Sequence, residues 1–112
     1  MQDPDETSQT IVSLVSWQAT NLDLDAARRL AAETAAAFGR IPGSVEIRFF
    51  GDFESGRHYY LQTWRDQAAL EAYMASESMF RIREIAAPYV SGRPERSILV
   101  DYTATDPESA AG

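Results

Sequence analysis

Apolar and polar residues change rhythm several times along this chain, and each change marks an element. Residues 11 to 19, "IVSLVSWQA", are apolar on both alternating sets: Ile11, Val15 and Trp17 on one side, Val12 and Leu14 on the other. Two-sided burial predicts a central strand, or one covered twice. In the stretch that follows, Asp23 or Asp25 can cap a helix whose apolar face holds Ala26, Leu30, Thr34 (or Ala37) and Phe38. Gly39 is a stop, and Pro42-Gly43 forbids continuation.

Two strand-like runs come next, "SVEIRFFGDFE" and "RHYYLQTWR", joined by Ser55-Gly56, the best hairpin signal in the chain. Within the first run Val45, Ile47 and Phe49 alternate with Glu46, Arg48 and Phe50. After Arg65-Asp66 the spacing becomes helical. Asp66 can cap a second helix with Leu70, Tyr73 and Met74 on one face. "ASES" interrupts or re-caps it through Ser76 or Ser78, and Met79, Ile82 and Ile85 or Ala86 carry the stripe on to Pro88. "RSILVDYT" supplies a last strand. The order β-α-β-β-α-β predicts a ferredoxin-like α+β sandwich, a four-stranded antiparallel sheet with helices on one face.

That arrangement leaves a face uncovered. The strands carry large side chains on both sets, among them Trp17, Phe49 or Phe50, Tyr60 and Trp64. An exposed apolar sheet face of that size marks an interaction or ligand surface. A homodimer enclosing a cavity would cover it and create a pocket together.

Composition narrows the chemistry. At 112 residues the chain makes one domain, and 45% hydrophobic content is too high for disorder. The polar, acidic ends, residues 1–9 and 105–112, read as tails around a folded part at 10–104. With no cysteine and one histidine, neither a thiolate site nor a multi-histidine metal centre is expected. A net charge of −7 disfavours nucleic acid as a partner. No apolar run has the length of a membrane span, so a cytoplasmic protein without a membrane role is expected.

"IPGSVEIRFF", "YYLQTWRDQAALEAYMAS" and "SMFRIREIAAPYV" together resemble the antibiotic biosynthesis monooxygenase (ABM) superfamily over about residues 10 to 103. The strand-to-helix "TWRDQAALEAYMAS" is the most specific part. The resemblance implies a dimeric α+β barrel with an apolar pocket between sheet and helices in each subunit. It also implies cofactor-free oxygenation of a small hydrophobic phenol, anthrone or quinol in polyketide or antibiotic biosynthesis, with molecular oxygen as co-substrate. An electron-rich phenolate can itself reduce oxygen, so the protein need only bind the ring, help deprotonate it and stabilise anions. A polyketide cyclase or other tailoring enzyme, and a non-enzymatic ligand-binding dimer, are the alternatives on this scaffold.

By the same resemblance, Trp64 corresponds to the tryptophan ending the third strand in the quinone-forming and haem-degrading branches. Tyr60 stands where the quinone-forming enzymes have asparagine, and Leu70 where they have tyrosine, with Tyr73 one turn further. Their helical arginine falls near Arg83. The haem-degrading branch's histidine also aligns with Arg83, so haem ligation is not expected.

The expected catalytic set is therefore Trp64, Arg83, Tyr60 and Tyr73. Trp17, Phe49, Gln62, Leu70, Met74, Met79 and Phe80 are the expected substrate-binding residues. Several have a plainer reading. Trp64 also suits a core or dimer interface, Arg81 and Arg83 suit surface ion pairs with Glu77 and Glu84, and the methionines suit helix packing. His58, beside the Gly56-Arg57 turn, is expected at the surface. Arg48, Arg57 and Arg65 are expected on a solvated strand edge.

Overall fold

The computed structural model describes residues 10–103, so the tails expected at 1–9 and 105–112 lie outside the described residues. Four strands form one antiparallel sheet in the order β2-β3-β1-β4. They are β1 (Ile11–Ala19), β2 (Ser44–Asp52), β3 (Arg57–Trp64) and β4 (Val90–Val100). Helix α1 (Leu24–Phe38) links β1 to β2. Helices α2 (Gln67–Met74) and α3 (Glu77–Ala86), with a 3-10 turn at Ala87–Tyr89, link β3 to β4. This is the expected ferredoxin-like α+β fold, with β1 in the centre as its two apolar sets required.

The element ends follow local chemistry. Asp23 caps α1 by accepting from the Ala26 amide at 2.8 Å, and Asp66 caps α2 by accepting from the Ala69 amide at 2.9 Å. Ser76 stands at the N-cap of α3, but its hydroxyl donates backwards to the Tyr73 carbonyl at 2.7 Å. In the β2–β3 turn, Asp52 accepts from the amides of Glu54 and Ser55, and Gly56 takes a φ of 80°.

Register sorts the side chains by face. Ile11 pairs with Trp64, Ser13 with Gln62, Val15 with Tyr60 and Trp17 with His58. Phe49 stands opposite Tyr60, and Arg96 opposite Val15. Pleating places all of these on the side that the helices cover. The other side carries Val12, Leu14, Phe50, Tyr59, Leu61 and Leu99; Phe50, Tyr59 and Leu99 are exposed. So the large residues Trp17, Phe49, Tyr60 and Trp64 share one face.

Beneath the helices the two ends of the sheet differ. Ile11, Phe38, Trp64, Ala69, Leu70, Tyr73, Met79 and Ile82 form the hydrophobic core. It fills the end where β1 starts, β3 finishes and α1 finishes. The opposite end, around Trp17 and His58, is hollow.

Two sequence expectations shift. Val45 leaves the alternation at an irregularity between Ser44 and Glu46 and is exposed. The last strand spans Val90–Val100 rather than 96–103. Pairing with β1 begins at Ala19 and Val90, before the apolar run. Residues 101–103 pass beyond the start of β1, where the Asp101 amide reaches the Thr10 carbonyl.

Candidate functional site

The hollow end contains two cavities that share Trp17, Tyr60 and Ala86 as walls. The first, about 260 Å³, lies between the sheet and α1 and is lined by Phe49, Phe53, His58, Leu30, Thr34 and Ile82 among others. The second, about 290 Å³, lies towards β4 and is lined by Val15, Arg83, Ala87, Val90 and Pro94. Aromatic rings dominate the first; the second is aliphatic with one arginine.

The sheet is built to leave this space. Ser16 faces Glu95 and Gln18 faces Ser91, so three residues of β4 stand opposite Trp17. Such an irregularity bends an edge strand away from its neighbour and re-aims side chains. Gly92, with φ of 80°, permits the bend, and Pro94, which has no amide to pair, lines the cavity. On the opposite edge Gly51 pairs with His58, and a Cβ built at Gly51 would overlap the imidazole. The missing side chain lets the ring lie flat over the strand.

His58 is held on three sides. Its centroid is 5.3 Å from that of Trp17 and 4.9 Å from that of Phe53, which meets it edge-on. The residue is 5% exposed. Nε2 is buried without a hydrogen-bond partner among the described residues. Burial lowers its pKa, and the Asp52 carboxylate opposes that only in part.

Positive charge gathers on the other side of Tyr60. Arg96 reaches inward from β4 and donates through Nη1 to Ser13 Oγ and to Gln62 Oε1, the latter at 3.2 Å. Gln62 donates in turn to the Tyr73 hydroxyl at 3.4 Å, and the Arg96 guanidinium lies 5.9 Å from the Tyr73 ring centroid. Burial raises the Tyr60 pKa, with Tyr73 adding to it, while Arg96 and Arg83 pull it down. Both guanidiniums therefore lie near enough to Tyr60 to favour an anion there. Neither makes an ion pair among the described residues, whose ion pairs are Arg57–Glu95 and Arg65–Asp66.

No protein-family model matches the chain, and no curated protein matches its sequence. Solved structures do match it. SnoaB, a cofactor-independent oxygenase from Streptomyces nogalater, superposes with a TM-score of 0.69 at 14% identity, over 87% of this chain and 97% of its own. Proteins assigned as antibiotic biosynthesis monooxygenases are similar in the same way. The one from Bordetella bronchiseptica gives a TM-score of 0.70 at 13% identity over 81% of this chain and 95% of its own. That from Nitrosomonas europaea gives 0.69 at 12% over 88% and 96%.

The chain has the ABM fold.

On this ABM scaffold the residues singled out from sequence separate into three groups. Trp17, Phe49, Tyr60 and Arg83 come together on the cavity walls. Trp64, Leu70, Tyr73 and Met79 lie in the closed core, and Gln62 is buried beside them in the polar chain from Arg96. Trp64 shares a sheet face with Tyr60 but lines neither cavity; it is 0% exposed, packed edge-on against Phe38 and against Tyr73. The expected grouping of Trp64 with Arg83 in one pocket is thus not what the packing produces. Met74 and Phe80 are exposed.

Sequence reasoning missed two residues. His58 is buried rather than exposed, because it alternates in step with Tyr60, Gln62 and Trp64, a signal that adjacency to a turn obscured. Arg96 alternates with Ile98 on the helix-covered face, but nothing in its surroundings marked it as inward-pointing. Among the described residues no helix is long and apolar enough to cross a membrane.

Proposed function

We propose that the chain is a cofactor-independent monooxygenase that oxidises a small hydrophobic phenol, anthrone or quinol, with the hollow end as its active site. The observation that carries this reading is the convergence of Arg83 and Arg96 on Tyr60 at the boundary of two largely apolar cavities. Aromatic walls hold a ring system, and two unpaired guanidiniums stabilise negative charge as it develops on oxygen. Deprotonation makes such a ring electron-rich enough to give an electron to oxygen. For an anthrone the balance is simple: the methylene carbon becomes a carbonyl, one oxygen atom enters the product and the other leaves as water. SnoaB is described as a cofactor-independent oxygenase, which agrees with this reading.

The same proposal includes a homodimer. Phe50, Tyr59 and Leu99 are exposed on the uncovered sheet face beside Leu14 and Leu61. A second copy meeting that face would remove them from water at roughly 25 cal/mol per Å² of apolar area. Sedimentation at micromolar concentration is expected to give twice the monomer mass.

Oxygen consumption with a panel of anthrones and quinols tests the activity. The wild type is expected to consume oxygen faster than a protein-free blank and yield the quinone, and Arg83→Ala to lose about tenfold or more of that rate. Tight binding without turnover would replace this reading with a ligand-binding protein. Ring closure or enolisation without oxygen uptake would replace it with a cyclase.

A further inference from the structure

We propose that His58 is the proton acceptor of this site, taking the phenolic proton of a substrate seated in the first cavity. The inference rests on the reading above, that the hollow end binds a phenol, and adds the group that ionises it.

Geometry is the first support. A buried polar atom without a partner costs about 1–3 kcal/mol, and native structures keep few of them. Trp64 Nε1 is also unpartnered, but it lies in the closed core and lines no cavity. His58 Nε2 belongs to a residue on the cavity wall, so a phenolic hydroxyl there would supply the missing partner. The clamp is the second support. Trp17 and Phe53 fix the ring, and Gly51 gives it room on the strand, so one orientation is preset at little entropic cost on binding.

Charge surroundings favour the direction of transfer. The groups facing His58 are Asp52 from β2, Tyr59 and Tyr60 from β3, and Arg28 from α1 across the cavity. Burial keeps the free imidazole neutral at neutral pH, the form a base requires. In the step, the phenol O–H bond breaks and an Nε2–H bond forms. The products are a phenolate and an imidazolium, a neutralising pair in a site of low dielectric, and the arginines beyond Tyr60 lower the cost of the anion. No electrons move in this step.

The chain's only histidine makes the test direct. The probe is 4-nitrophenol, which oxygen does not attack and whose absorption distinguishes phenol from phenolate. It is mixed with the wild-type protein at pH 6, where the free probe is mostly protonated. The expected result is bound phenolate, no proton released to the buffer, and histidine ring nitrogen resonances shifted to imidazolium values. His58→Gln should then bind the probe as neutral phenol, or as phenolate with one proton released per site. Bound phenolate in the wild type with a neutral His58 and a released proton would overturn the proposal and leave the oxygenase reading standing. So would probe bound to the wild type as neutral phenol. If the wild type binds no probe at all, both readings fall together.

Discussion

The molecule's two tryptophans stand on the same sheet face, at opposite ends of β1, and have opposite surroundings. Trp64, opposite Ile11, is enclosed by Phe38, Leu70 and Tyr73; Trp17, opposite His58, is a wall between two cavities. Six residues of strand separate Ile11 from Trp17, roughly 20 Å at about 3.3 Å per residue. The helices close one end because the C-terminal turn of α1 brings Phe38 onto Trp64, and α2 adds Leu70 and Tyr73. At the other end α1 presents Ala27 and Ala31 towards the sheet, and α3 presents Ala86. Small side chains there cannot reach across the gap, so the gap stays open. The lesson is that one side of one sheet can be core and pocket at once, and the size of the helix residues facing it settles which.

Removing each indole breaks or supports that contrast, and this is the largest expected effect. Trp64→Ala should cost about 3–5 kcal/mol, as deletion of a buried large aromatic usually does. Trp17→Ala should cost less, within the about 0.5–3 kcal/mol of ordinary substitutions, because space already exists on two of its sides. Denaturant unfolding measures both. The ordering should reverse for ligand affinity, which Trp17→Ala lowers, while a folded Trp64→Phe protein keeps its affinity. Equal losses of stability would mean that the two ends are equally well packed.

The helix caps allow a finer comparison. Asp66 caps α2 at the closed end and Asp23 caps α1 at the open end, at nearly the same distance. Replacing either by Ala should cost about 1 kcal/mol. Global stability should register Asp66→Ala in full, because α2 is anchored by Leu70 and Tyr73 in the core. Asp23→Ala should appear first as faster amide exchange in the first turn of α1, which borders the cavity. Matching exchange patterns for the two variants would contradict a soft open end.

The smallest effect is one of pH. Folding lowers the His58 pKa below its ordinary 6.5, so the folded state favours the neutral ring. As pH falls below about 6.5 the unfolded chain takes up a proton that the folded chain resists, and stability declines. The lowered carboxyls of Asp52, Asp66 and Asp101 act in a separate window, since their stabilisation is lost only as pH falls below about 3.8. Between these windows the wild type should lose stability with acid, and His58→Gln should lose less. Identical slopes from pH 7 to 5 would mean that His58 is not desolvated.

Much of the fold was legible in the chain because it rests on local rules. Strand alternation, the caps Asp23 and Asp66, the Ser55-Gly56 turn and the helical stripes are each written within a few residues, and together they give the βαββαβ order. The periodicity also implied that Tyr60, Gln62 and Trp64 share a face, and the register agrees. Parity along β3 carried His58 onto that face as well. What no local pattern contained is where along the face the helices come down. That depends on the lengths of α1, α2 and α3 and on the three β4 residues opposite Trp17, which set which side chains meet across the gap. Packing between elements distant in sequence therefore sent Trp64 to the core, Trp17 to the cavities, and Arg96 inward to Ser13 and Gln62. The sequence by itself determined the elements and their faces, through chemistry between near neighbours. Only the tertiary structure decided which part of a shared face is filled and which is hollow, because filling a volume takes atoms from every element that borders it.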